Sequence, residues 1–179
     1  MIFLVSQSKG RQNLLRSSGV DFVTIKTHFD EDSYPHDSIV NHKELVLFLA
    51  EQKIKHKDTD PIHDFFNTHS NKTYCFAISA DMIVVVGNGM RLEKPKSFEE
   101  LYSWLSLKQT YGAIALTGYC IEKISYDEKN KNIMIENSIC TYEETKITYS
   151  FPTNLSLVKK NFTPDCLLSS GGLNIDDDV

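Results

Sequence analysis

The chain has 179 residues, 41% of them apolar and 24% charged, with 19 basic against 24 acidic side chains and a net charge of −5. This length suits one domain burying about 70% of its unfolded surface, and the composition excludes a disordered chain. The acidic balance argues against a nucleic-acid binder, which carries a basic stripe, yet leaves room for a few cations gathered around a phosphate. No apolar run approaches the roughly 20 residues of a membrane span. The opening Met1–Ser6 is too short for a signal peptide and lacks a basic region, so a cytoplasmic protein without a membrane partner is expected.

In chain order, residues 2–6 predict a buried strand. Gln7–Ser18 predicts a helix, with Ser6 or Ser8 as N-cap and Gly19 as its stop. Val20–Ile25 predicts a second strand, followed by an acidic loop over residues 28–37. Ile39 to Lys57 is helical in pattern, because Val46, Ala50 and Ile54 recur every four residues beside Leu45 and Leu49. Residues 58–72, with three Asp, two His and Pro61, predict an exposed connection.

Tyr74–Ala80 and Ile83–Val86 predict strands. The turn Gly87-Asn88-Gly89 returns a short strand over Met90–Leu92. Ser97 caps a helix to Leu107, with Glu99 and Glu100 in its first turn. Gly112–Ser125, Ile133–Cys140 and Glu144–Phe151 predict three further strands, and Asn154–Lys160 a short helix. The wide spacing of Cys75, Cys120, Cys140 and Cys166 predicts reduced core thiols. Helices alternating with strands early, then consecutive strands, imply an α/β fold with a mixed sheet.

Four groups of residues carry chemistry. Ser6, Ser8, Lys9 and Arg11 lie where a strand turns into a helix, a place where free N–H groups and cations hold phosphate; a capped surface helix is the plainer alternative. Asp30-Glu31-Asp32 offers carboxylates to a hard cation, or is a solvated loop. Lys53 borders the apolar stripe of the long helix, as a snorkelling surface lysine also would. Asp81 interrupts an apolar β-forming stretch, where a charge is costly unless paired, metal-bound or facing a cleft. Lys94 precedes Pro95, which holds the backbone extended before the next helix.

Taken together these residues resemble the Maf family, the septum-formation-related nucleotide pyrophosphatases. The family opens S-x-S-P-R-R-x-x-L-L and G-x-x-F, matched by Ser6, Ser8, Arg11, Leu14, Leu15, Gly19 and Phe22. Its D-E pair is matched by Asp30-Glu31 and its L-A-x-x-K by Leu49, Ala50 and Lys53. A-D-T-V-V is matched by Ala80, Asp81, Ile83 and Val84, G-K-P by Lys94-Pro95, and T-G by Thr117-Gly118.

The resemblance covers about residues 1–176 and implies a single Maf-like domain over residues 1–179. It implies a two-lobed α/β fold of the Maf and ITPase type, with a mixed twisted β-sheet flanked by helices and an active-site cleft between the lobes. It implies hydrolysis of the α–β phosphate bond of a nucleoside triphosphate, canonical or modified, to monophosphate and pyrophosphate, assisted by Mg²⁺ or Mn²⁺. Ser8, Arg11, Lys53 and Lys94 would bind the substrate. Glu31 and Asp81 would hold the metal, and Asp81, Glu31 and Lys53 would be catalytic, with Asp81 the general base. Homodimers are common in the family.

The sequence also departs from the pattern. Lys9-Gly10 stands where the family has P-R, Met82 follows the key aspartate in place of Thr or Gln, and Glu93 replaces the glycine of G-K-P. No histidine follows Leu105-Ser106 before Thr117. Toward the end, Ser169 and Asp176 stand for a lysine and a glutamine, and the closing N-V-x-G-L-P has no counterpart. Asp58, Asp60, His63, Asp64 and His69 fill a long connection whose spacing fits no structural zinc pattern. The alternative function is therefore a catalytically impaired nucleotide-binding or protein-interaction protein linked to cell division.

Overall fold

A computed structural model describes residues 1–31 and 41–148 together with Ser156, Lys159 and Lys160. The elements in order are β1 (Ile2–Val5), α1 (Lys9–Ser17), β2 (Phe22–Ile25), α2 (His42–Lys55) and α3 (Asp60–Thr68). They continue with β3 (Tyr74–Val86), β4 (Arg91–Leu92), α4 (Phe98–Tyr111), β5 (Ala113–Asp127) and β6 (Asn132–Ile147). The strands form one mixed sheet in the order β2-β1-β3-β5-β6, with β4 on β3. β1 runs parallel to both β2 and β3, and β4 antiparallel to β3. This is the expected α/β class with a mixed sheet.

The chain divides into two compact units, matching the expectation of two lobes: Met1–Asp81 with Gly118–Tyr142, and Met82–Thr117 with Glu143–Val179. In the first, a core of Phe3, Val5, Ile25, Ala50, Ile54, Ile62, Phe65, Phe66, Ala77 and Ile124 is almost wholly removed from water. In the second, Val84, Val86, Leu92, Trp104 and Ala113 form a smaller cluster. No described helix is long and apolar enough to cross a membrane.

Helix α2 lies on the first unit's sheet, and its register follows from two periods. Its buried positions Leu45, Val46, Leu49, Ala50, Lys53 and Ile54 recur at three and four residues, while β3 presents every second residue. Ser79 Oγ donates to the Ala50 carbonyl at 2.6 Å, and two residues along β3 Asp81 meets Lys53, one helical turn along α2. On β5, Gly118 passes so close to α2 that an added Cβ would lie 2.2 Å from the Val46 carbonyl oxygen.

Four expectations change in the structure. Residues 58–72 are not a bare connection: α3 forms there, opened by Pro61 in its first turn, because Ile62, Phe65 and Phe66 fall on one face and enter the core. The strands expected on either side of Asp81 are one continuous β3, and those expected on either side of Thr141 are one continuous β6. The third to change is the cysteine reading, since Cys120 and Cys140 form a disulfide, with Cα atoms 4.1 Å apart. β5 and β6 are neighbours joined by a turn so short that they run antiparallel, which brings distant residues into cross-strand contact. The Asp127 carboxylate makes that turn by accepting from the Asn130 side chain, the Asn130 amide and the Lys129 amide, bonds that hold its pKa below the usual value. Finally, the helix start expected at Ile39 moves to His42, because Asn41 caps α2. Cys75 is a buried free thiol as expected; burial pushes its pKa up to about 11. Cys166, and most of the helix expected over 154–160, lie outside the described residues.

Gly118→Ala forces β5 and α2 apart and lowers stability by about 1–3 kcal/mol, read as a shift in the urea midpoint. Gly10→Ala in α1, where the new Cβ would meet only Ser8 Oγ at 3.9 Å, leaves that midpoint unchanged or raises it. Non-reducing peptide mapping of alkylated protein finds Cys120 joined to Cys140, with Cys75 labelled only after unfolding; free alkylation of Cys120 in native, unreduced protein would contradict the pairing.

Candidate functional site

The N-terminal turn is built around one hydroxyl. Ser6 Oγ, at the end of β1, accepts from the Ser8 backbone N–H at 3.1 Å and from Arg11 Nη1 at 3.4 Å. Ser8 is the N-cap of α1, its hydroxyl accepting from the Arg11 amide at 3.4 Å. The first turn of α1 holds Lys9 and Arg11 and no acid, whereas α2, α3 and α4 open with Glu44, Asp60 and the pair Glu99 and Glu100. Cations at a helix start oppose the macrodipole and cost about 0.3–1 kcal/mol each, so this turn is electropositive by construction.

Lys53 is the centre of the group. It is 5% exposed, on the core-facing stripe of α2, and its Nζ contacts the Asp81 carboxylate of β3 and Glu31 Oε1 at 2.9 Å. Asp81 also faces Arg11, with Nη2 to Oδ1 at 3.9 Å. Two of the cations and both carboxylates singled out in the sequence thus form one continuous chain, Arg11–Asp81–Lys53–Glu31, all within the first unit. The anomaly of an acid inside an apolar strand resolves as pairing: Asp81 is 8% exposed and stands between two cations. Lys53 is not the snorkelling surface lysine that its helix position also allowed.

The remaining expected residues are placed less centrally. Ser8 organises the turn beside Arg11. Lys94 is exposed on the connection from β4 to α4, in the second unit. Glu93, which takes the place of a family glycine, pairs with Arg91 Nε at 2.7 Å. Ser169 and Asp176 lie outside the described residues.

The sequence reading missed a second buried pair. Lys57 Nζ meets Glu122 Oε2 at 2.5 Å and donates to the Ile54 carbonyl at 3.1 Å, and both side chains are 4% exposed. Glu122 carries a detectable signal, a charge in phase with the buried Gly118, Cys120 and Ile124 of β5. Lys57 carries none, since it lies just beyond the helix in a polar stretch. This pair ties the end of α2 to β5.

A family model, Maf-like protein, matches residues 1–157. The chain belongs to the Maf family. Among curated relatives it is 27% identical over 180 residues to a nucleoside triphosphate pyrophosphatase of Prochlorococcus marinus, covering 98% of this chain and 82% of that one. It is 32% identical over 141 residues to a dTTP/UTP pyrophosphatase of Parabacteroides distasonis, covering 78% of this chain and 64% of the relative. It is also 28% identical over 120 residues to a dTTP/UTP pyrophosphatase of Chlorobaculum tepidum, covering 67% and 55%. The chain thus spans less than two thirds of both dTTP/UTP pyrophosphatases. Every residue of the Arg11–Asp81–Lys53–Glu31 group falls inside the stretch matched by the Maf model.

The two buried pairs are expected to behave differently. Lys57→Met leaves Glu122 buried without a counter-charge and costs about 3–5 kcal/mol, and Lys57→Met with Glu122→Leu recovers most of it. Steady-state kinetics of the double variant below its melting temperature show a KM close to wild type; a large rise in KM would place the pair in the binding site.

Proposed function

We propose that this chain is a nucleoside triphosphate pyrophosphatase that cleaves the α–β phosphate bond with the aid of a divalent cation. The observation that carries the reading is the buried lysine between two carboxylates, one of which faces the arginine of an electropositive helix start. The activities named for the Maf relatives support the same reaction class.

Charge balance argues for the cation. Arg11 and Lys53 are matched by Glu31 and Asp81, so the group sums to zero. A triphosphate adds several negative charges to it, which a divalent ion and the further cation Lys9 would offset. The donor set fits the ion. Glu31 and Asp81 both reach the Lys53 ammonium, so their carboxylates lie close together, and each is a hard oxygen donor. No group of three or more ligating side chains occurs among the described residues. Mg²⁺ or Mn²⁺ suits such a site, because it is commonly bound by one or two carboxylates with water and substrate phosphates completing the shell. When bound, the ion would neutralise phosphate charge and polarise the scissile bond.

The chain's own residues have separable roles. Ser8 and the free N–H groups at the start of α1, with Arg11, hold phosphate oxygens. Lys53 stabilises charge that builds on the transferring phosphoryl group. Asp81 takes the proton of the attacking water as its oxygen bonds to the α-phosphorus, and pyrophosphate leaves. Glu31 pairs with Lys53 and would help to hold the metal. Met82, half-buried directly after Asp81, stands where the family places a residue that affects base preference. The dTTP/UTP relatives make the pyrimidine triphosphates the first substrates to try.

The test is pyrophosphate release over a panel of canonical and modified nucleoside triphosphates with Mg²⁺ or Mn²⁺. Glu31→Ala, Lys53→Ala and Asp81→Asn are each expected to lower kcat/KM by at least about tenfold, the scale of one lost charge-assisted contact. Turnover of no nucleotide above the Asp81→Asn background would overturn the enzymatic reading in favour of nucleotide binding without catalysis. Wild-type rates in all three variants would move the site elsewhere.

A further inference from the structure

The C-terminal end of α2 leaves backbone carbonyls without helical partners, as every helix does. Here the chain that leaves β2 takes them up. His28 N–H donates to the His56 carbonyl at 2.8 Å, and the Asp58 amide donates to the Lys26 carbonyl at 2.9 Å. Thr27 forms an isolated bridge with Lys57. The Thr27 hydroxyl donates to the Lys53 carbonyl at 3.0 Å, with the His56 carbonyl at 3.4 Å as a longer second acceptor. The same hydroxyl accepts from the Phe29 backbone N–H at 3.2 Å. Phe29 then stacks on His56, ring centroids 5.9 Å apart, and meets Phe48 edge-on at 6.5 Å.

These contacts close a ring on one residue. From the Lys53 carbonyl the path runs to the Thr27 hydroxyl, on to the Phe29 amide, two residues along to Glu31, and from its carboxylate back to Lys53 Nζ. Lys53 is therefore held at both ends. One hydroxyl, acting as donor and acceptor together, sets the distance between the lysine and the segment that carries Glu31.

We propose that Thr27 is a positioning residue for the reaction: it latches the Glu31 segment to α2 and so holds the Glu31 carboxylate on Lys53. The inference rests on the reading of Glu31 and Lys53 as site residues given above. Thr27 touches neither substrate nor metal and acts through Glu31.

The experiment is a double-mutant cycle on the full chain, with kcat, KM and the half-saturating Mn²⁺ concentration as readouts. Thr27→Val keeps the shape and removes the hydroxyl. It is expected to lower kcat by about fivefold to tenfold, the scale of one buried hydrogen bond lost from a network, and to raise the half-saturating Mn²⁺ concentration with little change in nucleotide KM. Thr27→Ser keeps the hydroxyl and restores both values. In the Glu31→Ala background Thr27→Val causes no further loss, because the residue it positions is gone.

Equal losses from Thr27→Val with and without Glu31 would sink the proposal and leave Thr27 a purely structural residue, as would a loss that Thr27→Ser fails to restore. Wild-type kinetics in Thr27→Val beside an impaired Glu31→Ala would also sink it, while the site reading stands. Wild-type kinetics in Glu31→Ala would instead remove the reading on which it rests. If Thr27→Val melts below the assay temperature, the Thr27→Ser comparison and the cycle are run at a temperature where both variants are folded.

Discussion

The Lys53 ammonium, removed from water and set between two carboxylates, is the constraint on which the first unit turns. A buried ammonium is tolerated only with close counter-charges, and here they come from β3 and from the segment after β2. Three stretches distant in sequence must therefore meet at one atom. Helix α2 is the element that makes them meet. Its apolar stripe lies on the sheet, Gly118 allows the close approach, and the ion pair sits at the far end of the same stripe. Packing and charge thus act on one helix face, with Val46 and Ala50 fixing where Lys53 comes to rest.

The N-terminal turn shows the opposite balance. α1 buries none of its residues and carries cations where a helix prefers anions. Local stability does not explain that arrangement; the phosphate-binding role proposed above would. Its charge is steadied by Ser6, whose hydroxyl receives both a backbone and a guanidinium hydrogen bond, and by Asp81, which faces the same guanidinium.

The two buried ion pairs differ in their surroundings. Lys53–Asp81 has Glu31 and Arg11 around it, so its charges extend toward groups able to meet a ligand. Lys57–Glu122 closes on itself and on the Ile54 carbonyl, and it anchors the helix end from which Lys53 projects. The Cys120–Cys140 link ties β6 to the same strand, β5, that carries Glu122.

Much of this was legible in the residue order. The four-residue spacing of Val46, Ala50 and Ile54 identifies α2 and puts Lys53 beside its stripe. The isolated charge of Asp81 in an apolar strand and the basic start of α1 mark the candidate groups, because each breaks a local rule. The resemblance to the Maf pattern links them into one candidate site. The tertiary structure alone decided the rest. A charged lysine beside a stripe looks the same whether it reaches solvent or is buried, and only the meeting of α2 with β3 settles it. The face of α3 was hidden in a polar composition until a core existed to receive Ile62, Phe65 and Phe66. The cross-strand pairing of Cys120 with Cys140, and the pairing of Lys57 at the end of α2 with Glu122 of β5, depend on register between elements that propensity does not encode. What the sequence determined by itself was which residues are chemically unusual; which of them share a contact came only from the fold, because contacts between distant segments are set by packing rather than by spacing along the chain.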